Sequence, residues 1–287
     1  MKKFQIDVEG LNVAFKGAEL LQDQKTGNSQ SQLWRLDQHL GWALLEQGQL
    51  KYTQYTAQVY TEMMAHCGMM AHPYPLDILL IGAADGLMLR QILKHRSVRR
   101  VDWVINQPAS FEIAKTAFAA QELVDDSRVH FVDDFPLDFL RSAPKPYDLM
   151  ISDAGLGYND KLLQTHDYYQ ALSGLLKAGG GALFNARTSN VLSAKKSNDL
   201  RLINEHFALS GQAAFADGSV LGGLQSWIWA GDIDMSQVDV DIINSRLQIS
   251  PMDCLCYSPL RHQIAFNQDV FIQQAAQTLS NEFAVRS

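Results

Sequence analysis

Phe4, Ile6 and Val8 alternate with Gln5, Asp7 and Glu9, the period of two that turns one face of a strand inward and leaves the other in water. The habit returns in LNVAF, SQLWRLDQ and GWALLEQ, with the turn-forming cluster Lys25-Thr26-Gly27-Asn28 between them. Residues 1–54 are therefore predicted to form a small N-terminal β-hairpin domain. From Tyr55 the period changes. YTAQVYTEMMAHCGMMAH keeps apolar residues three and four apart, as a helix that buries a face would, and Pro73 and Pro75 end it. Met63, Met64, Met69 and Met70 at that spacing predict core filling.

Beyond the prolines, short apolar runs alternate with amphipathic stretches. A strand over 77–81 leads into a helix over 87–94, a strand over 101–105 into a helix over 110–121, and a strand over 128–132 into a short helix over 137–141. A strand over 147–152, a helix over 166–176, a turn at Gly179-Gly180-Gly181 and a strand over 182–185 follow. This βαβ rhythm predicts an α/β fold with a doubly wound, Rossmann-like parallel sheet over 55–287, and ligands at the carboxyl ends of its strands.

Composition narrows the function classes. Twenty-four Lys and Arg against thirty-one Asp and Glu give a net charge of −7, which argues against nucleic acid as a partner. Three cysteines, Cys67, Cys254 and Cys256, form no CxxC pair, so neither a disulfide framework nor a zinc site is expected, and a reducing compartment fits. The opening residues lack the continuous apolar run of a secretory leader, and the aliphatic run over 78–81 falls far short of the ~20 residues that cross a bilayer. A cytoplasmic protein without a membrane partner is the expectation.

The predicted strand ends carry the candidate chemistry. In LLIGAADGLMLRQ, Gly82 and Gly86 flank the first strand-to-helix turn. Two readings stand: a backbone bare enough for a nucleoside to approach, or a tight structural turn. Asp85 in that turn either caps the helix or faces the mouth of the sheet. The second strand ends at Asn106, whose amide offers one acceptor and an NH₂ where folds of this kind present a carboxylate to the ribose hydroxyls. The third ends at Asp133-Asp134, where Asp134 accepts from an adenine amine or caps the next helix. The fourth ends at Asp153, the best catalytic candidate in the chain. His66 and His72 straddle a helix end and do not read as a metal pair, and no GxSxG occurs.

These stretches resemble the polyamine aminopropyltransferases, the spermidine and spermine synthase family. LWRLDQHLGWALLEQGQLKYTQ looks like the family's N-terminal hairpins, LLIGAADGLMLRQILKH like its GGGDG strand, turn and helix, and YDLMISDAG like its strand ending in the catalytic Asp. The terminal YSPLRHQIAFNQDVF resembles its closing pattern. The resemblance implies a seven-stranded methyltransferase-like sheet behind the hairpin domain. It implies transfer of an aminopropyl group from decarboxylated S-adenosylmethionine to an amine, with no tightly bound cofactor, by a homodimer. Carried over, Asp153 takes the amine proton, Asp85 lies near the aminopropyl end, and Tyr60 lines the amine pocket. Gly82, Ala84, Gly86, Asn106 and Asp134 contact the sulfonium nucleoside. The chain departs from the family at Asn106, which replaces a ribose-binding Glu, at Thr61, and at Leu156, where a second acid is usual. Lys51 stands where the family has Gln. Turned inward, it would pair with the carboxylate of intact S-adenosylmethionine; turned outward, it snorkels to solvent. A methyltransferase using the intact donor and a silent nucleoside- or polyamine-binding paralogue are the alternatives.

Overall fold

The N-terminal alternation becomes antiparallel pairing. In the computed structural model, which describes residues 4–8, 11–15, 18–36, 41–142, 145–154, 165–189, 193–218 and 223–267, β1 (Phe4–Val8) pairs with β2 (Leu11–Phe15). Next, β3 (Glu19–Thr26), β4 (Ser29–Arg35), β5 (Trp42–Glu46) and β6 (Gln49–Thr53) form a four-stranded sheet in chain order. Gln47 and Gly48, at φ 53° and 76°, make the left-handed pair that a two-residue hairpin needs between β5 and β6. The register of that hairpin then slips: Leu44 faces Tyr52 and Leu45 faces Leu50. Lys51 is left over as a bulge residue, and a bulge re-aims the side chain it carries. Lys51 and its neighbour Tyr52 are consequently both buried, where strict alternation would put one of them in water.

Thr53 ends β6 and caps α1 (Gln54–Ala71), with Thr56 returning the bond in a capping box. The helix packs against β6 and also against the large sheet, and Met63, Met64, Met69 and Met70 all join the core.

The large sheet is built from β7 (Asp77–Gly82), α2 (Leu87–Leu93), β8 (Arg100–Ile105), α3 (Pro108–Ala117), α4 (Gln121–Val124), β9 (Val129–Asp133), α5 (Pro136–Ser142), β10 (Tyr147–Asp153), α6 (His166–Gly174), β11 (Leu176–Ser189), α7 (Ser193–Asn204), β12 (Leu209–Ala216) and β13 (Leu224–Gly231). Its seven strands run in the order β12-β13-β11-β10-β7-β8-β9, parallel from β11 to β9, with β13 antiparallel to both its neighbours. Separate apolar clusters cover the sheet, as a parallel sheet requires on both faces. The order reverses between β7 and β10, the crevice where such folds bind ligands. Two further helices, α8 (Val240–Ile249) and α9 (Pro259–Asn267), follow. Among the described residues no helix is long and apolar enough to cross a membrane.

Two elements differ from expectation. The helix foreseen over 110–121 ends at Ala117, because Ala119 turns left-handed at φ 50° and Ala120 N–H reaches back to the Ala114 carbonyl. That is a Schellman-type stop with alanine in glycine's place. Gly179-Gly180-Gly181 is not a turn between elements but an irregularity inside β11: Tyr147 faces Leu176 while Leu149 faces Gly181, so the glycines absorb extra chain without leaving the sheet.

Candidate active site

At the switch point, Gly82 on β7 lies opposite Asp153 on β10. Gly82 has φ +79°, and a Cβ there would sit 2.8 Å from the Asp153 carbonyl carbon and 2.9 Å from the Ala154 nitrogen. Glycine at this position lets two strand ends meet. Gly86, at φ +77°, would drive a Cβ to 2.7 Å from Leu123. The space spared by both glycines is filled by protein. Ala83 is itself left-handed at φ 49°, and Ala84 is fully buried. The bend between them presents Asp85, whose Oδ1 accepts from the Leu87 N–H at 2.9 Å. Asp85 therefore caps the turn and still has its second oxygen aimed at the crevice.

That second oxygen meets a lysine. Lys51 Nζ lies 2.7 Å from Asp85 Oδ2, 3.1 Å from Glu46 Oε1 and 3.3 Å from Asp153 Oδ2, and its side chain is 1% exposed. The bulge in β6 turns Lys51 inward, so it does not snorkel to solvent. Lys51 donates to Glu46 and forms ion pairs with Asp85 and Asp153, so its charge is already engaged by three carboxyl groups of the protein.

Asp153 is held from its other side too. Its Oδ1 accepts from the Tyr60 hydroxyl and from Asn185 Nδ2 at 2.9 Å. Asn185 also donates to the Tyr60 oxygen at 2.6 Å and is oriented by Gln225, whose Nε2 donates to its Oδ1 at 3.0 Å. Tyr52 lies over the cluster, its ring centroid 5.5 Å from Lys51 Nζ. Burial first, and Asp85 second, push its phenol well above the ordinary tyrosine range and keep it protonated. Thr61 faces away from the chemistry, donating to the Ala57 carbonyl at 2.8 Å. Leu156 lies outside the described residues.

Asp153, Asp85, Tyr60 and Lys51, each singled out in the sequence, meet here; Glu46, Asn185, Gln225 and Tyr52, which surround them, were not singled out. Asn185 was findable, since it is a polar residue on a parallel strand beside Asp153, like the strand-end residues that were singled out. Glu46 carried a weaker signal, a single acid at the end of the apolar run Trp42–Glu46.

Along the crevice, Asn106 at the end of β8 is 5% exposed and Gln107 1%, and among the described residues none of their four side-chain amide oxygen and nitrogen atoms has a hydrogen-bond partner. Leaving a buried polar atom unpaired costs about 1–3 kcal/mol, so this pair suits a polar ligand at the strand end. Asp134 is exposed, and its Oδ1 accepts from the Phe135 N–H at 2.7 Å.

Other groups are otherwise occupied. His66 Nδ1 lies 2.9 Å from His95 Nε2, and His72 Nδ1 accepts from the Tyr74 N–H at 3.1 Å; the two make no metal pair. Among the described residues, His166, Glu205 and His206 bring ligand atoms within 4.8 Å of one another at the surface, but Arg201 already holds Glu205 at 2.5 Å. A cleft of about 1260 Å³ lies between α1, β12 and α9, lined by Thr56, Val59, Met63, Phe215, Cys256 and Ala265. Asp85, Asp134 and Asp153 do not line it; Asp217, just past the end of β12, does.

Known proteins share this arrangement of sheets. A solved spermidine synthase in complex with the transition state analogue AdoDATO superposes with a TM-score of 0.84 at 21% identity, covering 95% of this chain and 93% of that one. The spermidine synthase from Thermotoga maritima does so with a TM-score of 0.83 at 20% identity over the same shares. The polyamine aminopropyltransferases of Escherichia fergusonii and Shigella flexneri are each 26% identical over 238 residues, 79% of this chain and 81% of theirs. Residues 57–208 match the profile of the spermine/spermidine synthase domain. That span, more than half of the chain, holds Tyr60, Asp85, Asn106, Asp153 and Asn185, while Glu46, Lys51, Tyr52 and Gln225 lie outside it: the chain belongs to the spermine/spermidine synthase family.

Proposed function

We propose that this protein transfers an aminopropyl group from decarboxylated S-adenosylmethionine to a primary amine. The observation that carries the reading is the set of carboxyl groups, Glu46, Asp85 and Asp153, converging within 3.3 Å of a primary ammonium, the Lys51 side chain. A site that holds one alkylammonium so closely has the chemistry to hold another. The acid-rich crevice also suits a donor carrying both a sulfonium and an ammonium.

In the reaction, Asp153 accepts a proton from the acceptor ammonium. The freed nitrogen lone pair attacks the propyl carbon bonded to sulfur, the C–S bond breaks, and its electron pair leaves on methylthioadenosine. Tyr60 and Asn185 fix the orientation of the Asp153 carboxylate, and Gln225 fixes that of Asn185. Asn106 and Gln107 would hold the nucleoside, with Asp134 at the outer edge; the buried, unpaired amides fit a ribose or base better than they fit any neighbouring side chain. The methyltransferase alternative loses its motive, because Lys51 is engaged by carboxyl groups of the protein. The reading includes a cytoplasmic homodimer, which sedimentation of the purified chain and cell fractionation would check.

Methylthioadenosine release from decarboxylated S-adenosylmethionine, measured over a panel of diamines with the wild type and with Lys51→Gln, tests the reaction. Release is expected with the decarboxylated donor and not with the intact one. Asp153→Asn should lower it by about 10²–10⁴-fold, the usual contribution of a positioned base. No release from either protein with any amine would overturn the reading.

A further inference from the structure

We propose that Lys51 is a built-in occupant of the acceptor-amine subsite, so that a cationic acceptor has to displace the chain's own ammonium before Asp153 can serve it. This deepens the functional reading above and rests on it for the identity of the subsite.

The argument starts from the backbone. The register slip between Leu44 and Leu45 makes Lys51 the extra residue of the hairpin and turns it to the buried side. Without the bulge, Lys51 and Tyr52 would point to opposite faces. The bulge thus delivers an ammonium from the N-terminal sheet to the switch point of the large sheet.

The ammonium is ringed by acids. A primary ammonium has three N–H donors, and three carboxyl groups stand at 2.7, 3.1 and 3.3 Å from Nζ. The terminal group of a lysine on its four-carbon stem is chemically one end of a four-carbon diamine, so the same contacts would satisfy either. They cannot satisfy both at once. A second ammonium placed against Asp85 or Asp153 would lie within a few ångströms of Nζ, where like charges repel strongly in a site this dry.

Asp153 closes the case. Its Oδ1 is taken by Tyr60 and Asn185, and its Oδ2 faces Lys51. The carboxylate that has to receive the acceptor's proton therefore presents its remaining oxygen to the protein's own amine. Withdrawal of Lys51 would free that oxygen together with the second oxygen of Asp85. Lys51 is in this sense a specificity-determining residue: it disfavours free diamines and sets the threshold that an acceptor must overcome.

Titration calorimetry of a four-carbon diamine into the wild type, Lys51→Gln and Lys51→Ala tests the proposal without requiring turnover. Both variants should bind the diamine at least tenfold more tightly than the wild type. The thermal midpoint of Lys51→Ala should rise with added diamine or butylamine, because a ligand that binds only the folded state stabilises it, while that of the wild type stays put. Lys51→Gln retains hydrogen-bond donors and keeps the experiment readable if Lys51→Ala does not fold. Equal diamine affinity in all the proteins that fold would overturn the proposal. The two readings fail separately. Tighter binding without methylthioadenosine release leaves the occupancy standing and removes the reaction. Release by the wild type as fast as by Lys51→Gln keeps the reaction and removes the occupancy.

Discussion

Gly82 shows how a single missing methyl group sets the crevice. Its φ of +79° already disfavours an L side chain, and the space its Cβ would need is taken by the backbone of Asp153 and Ala154. Backbone cannot swing aside as a side chain can, so Gly82→Ala should combine the left-handed penalty with overpacking, about 2–4 kcal/mol in all. Chemical denaturation would read this as a lower midpoint at unchanged slope; a cost near zero would mean that the strand ends are not in contact. At this scale the sequence pointed to Asp85 and Asp153 by their place at or just past the end of a parallel strand, and the structure brings both carboxyl groups to one lysine. The sequence spoke ambiguously at Gly82 and Gly86, since a bare backbone suits a ligand and a close strand crossing equally. The structure fills both gaps with protein atoms, Asp153 and Leu123.

Between elements, buried polar groups on helices tie the C-terminal segment to α1. Glu62 is fully buried on α1 and accepts from the backbone N–H groups of Leu255, Cys256 and Tyr257 at 2.9, 2.7 and 2.8 Å. Burial alone would raise its pKa, but these three donors outweigh it and hold the carboxyl below its usual range. Glu62→Ala should cost about 2–4 kcal/mol, because it strands several backbone donors at once, and amide exchange over 255–257 should quicken most. A ring of histidines lies beside this staple. Burial depresses His66 to about 4, His95 to about 3 and His262 to about 4, with His262 Nδ1 2.9 Å from the Tyr257 hydroxyl. Unfolded, these rings titrate near 6.5. Between that value and the folded ones, the unfolded chain binds more protons, so stability is full above about pH 6.5 and drains away as pH falls toward 4. His262, which stands apart from the His66–His95 pair, accounts for on the order of 3 kcal/mol of that loss. Denaturation midpoints measured from pH 8 to 4 should fall over this window and fall less in His262→Phe; a flat profile would mean that the rings are hydrated. Periodicity showed the helix that carries Glu62 and His66. It could not show what they meet, because those partners lie 29 and nearly 200 residues away in the chain.

At the scale of the molecule, the site exists because a sheet with one sequence period brings side chains to the switch point of a sheet with another. The strands of the large sheet were legible from their apolar runs, and three of its conspicuous acids follow from the rule that parallel strands present their carboxyl ends to a ligand. Glu46 and Lys51 were not placed by that rule. They come from an antiparallel hairpin whose register slips by one residue, and no spacing along the chain announces a slip. Glu46 is the joint. Its Oε1 lies 3.1 Å from Lys51 Nζ and accepts from the Ser110 hydroxyl on α3 at 2.9 Å, while Ala109 N–H donates to Ser29 on β4 at 3.4 Å. Around this buried link Leu33, Leu44 and Tyr52 join the apolar core of the large sheet and Trp42 packs on Phe118, so Glu46 is the charged part of the joint, while contacts such as Gln22 to Thr116 at 3.0 Å are exposed. Removing the link should therefore loosen the hairpin sheet from α3 while the parallel core stays folded. For Glu46→Ala, loss of the charged hydrogen bonds, about 1.5–3 kcal/mol, corresponds to roughly a 10- to 100-fold rise in local exchange rates. Amide exchange should speed by that factor in β4 to β6 and α3 and stay slow in β10 and β11. Acceleration spread evenly over both sheets would mean that they unfold as one unit and that Glu46 contributes to general stability, with no special part in docking Lys51 onto the switch point.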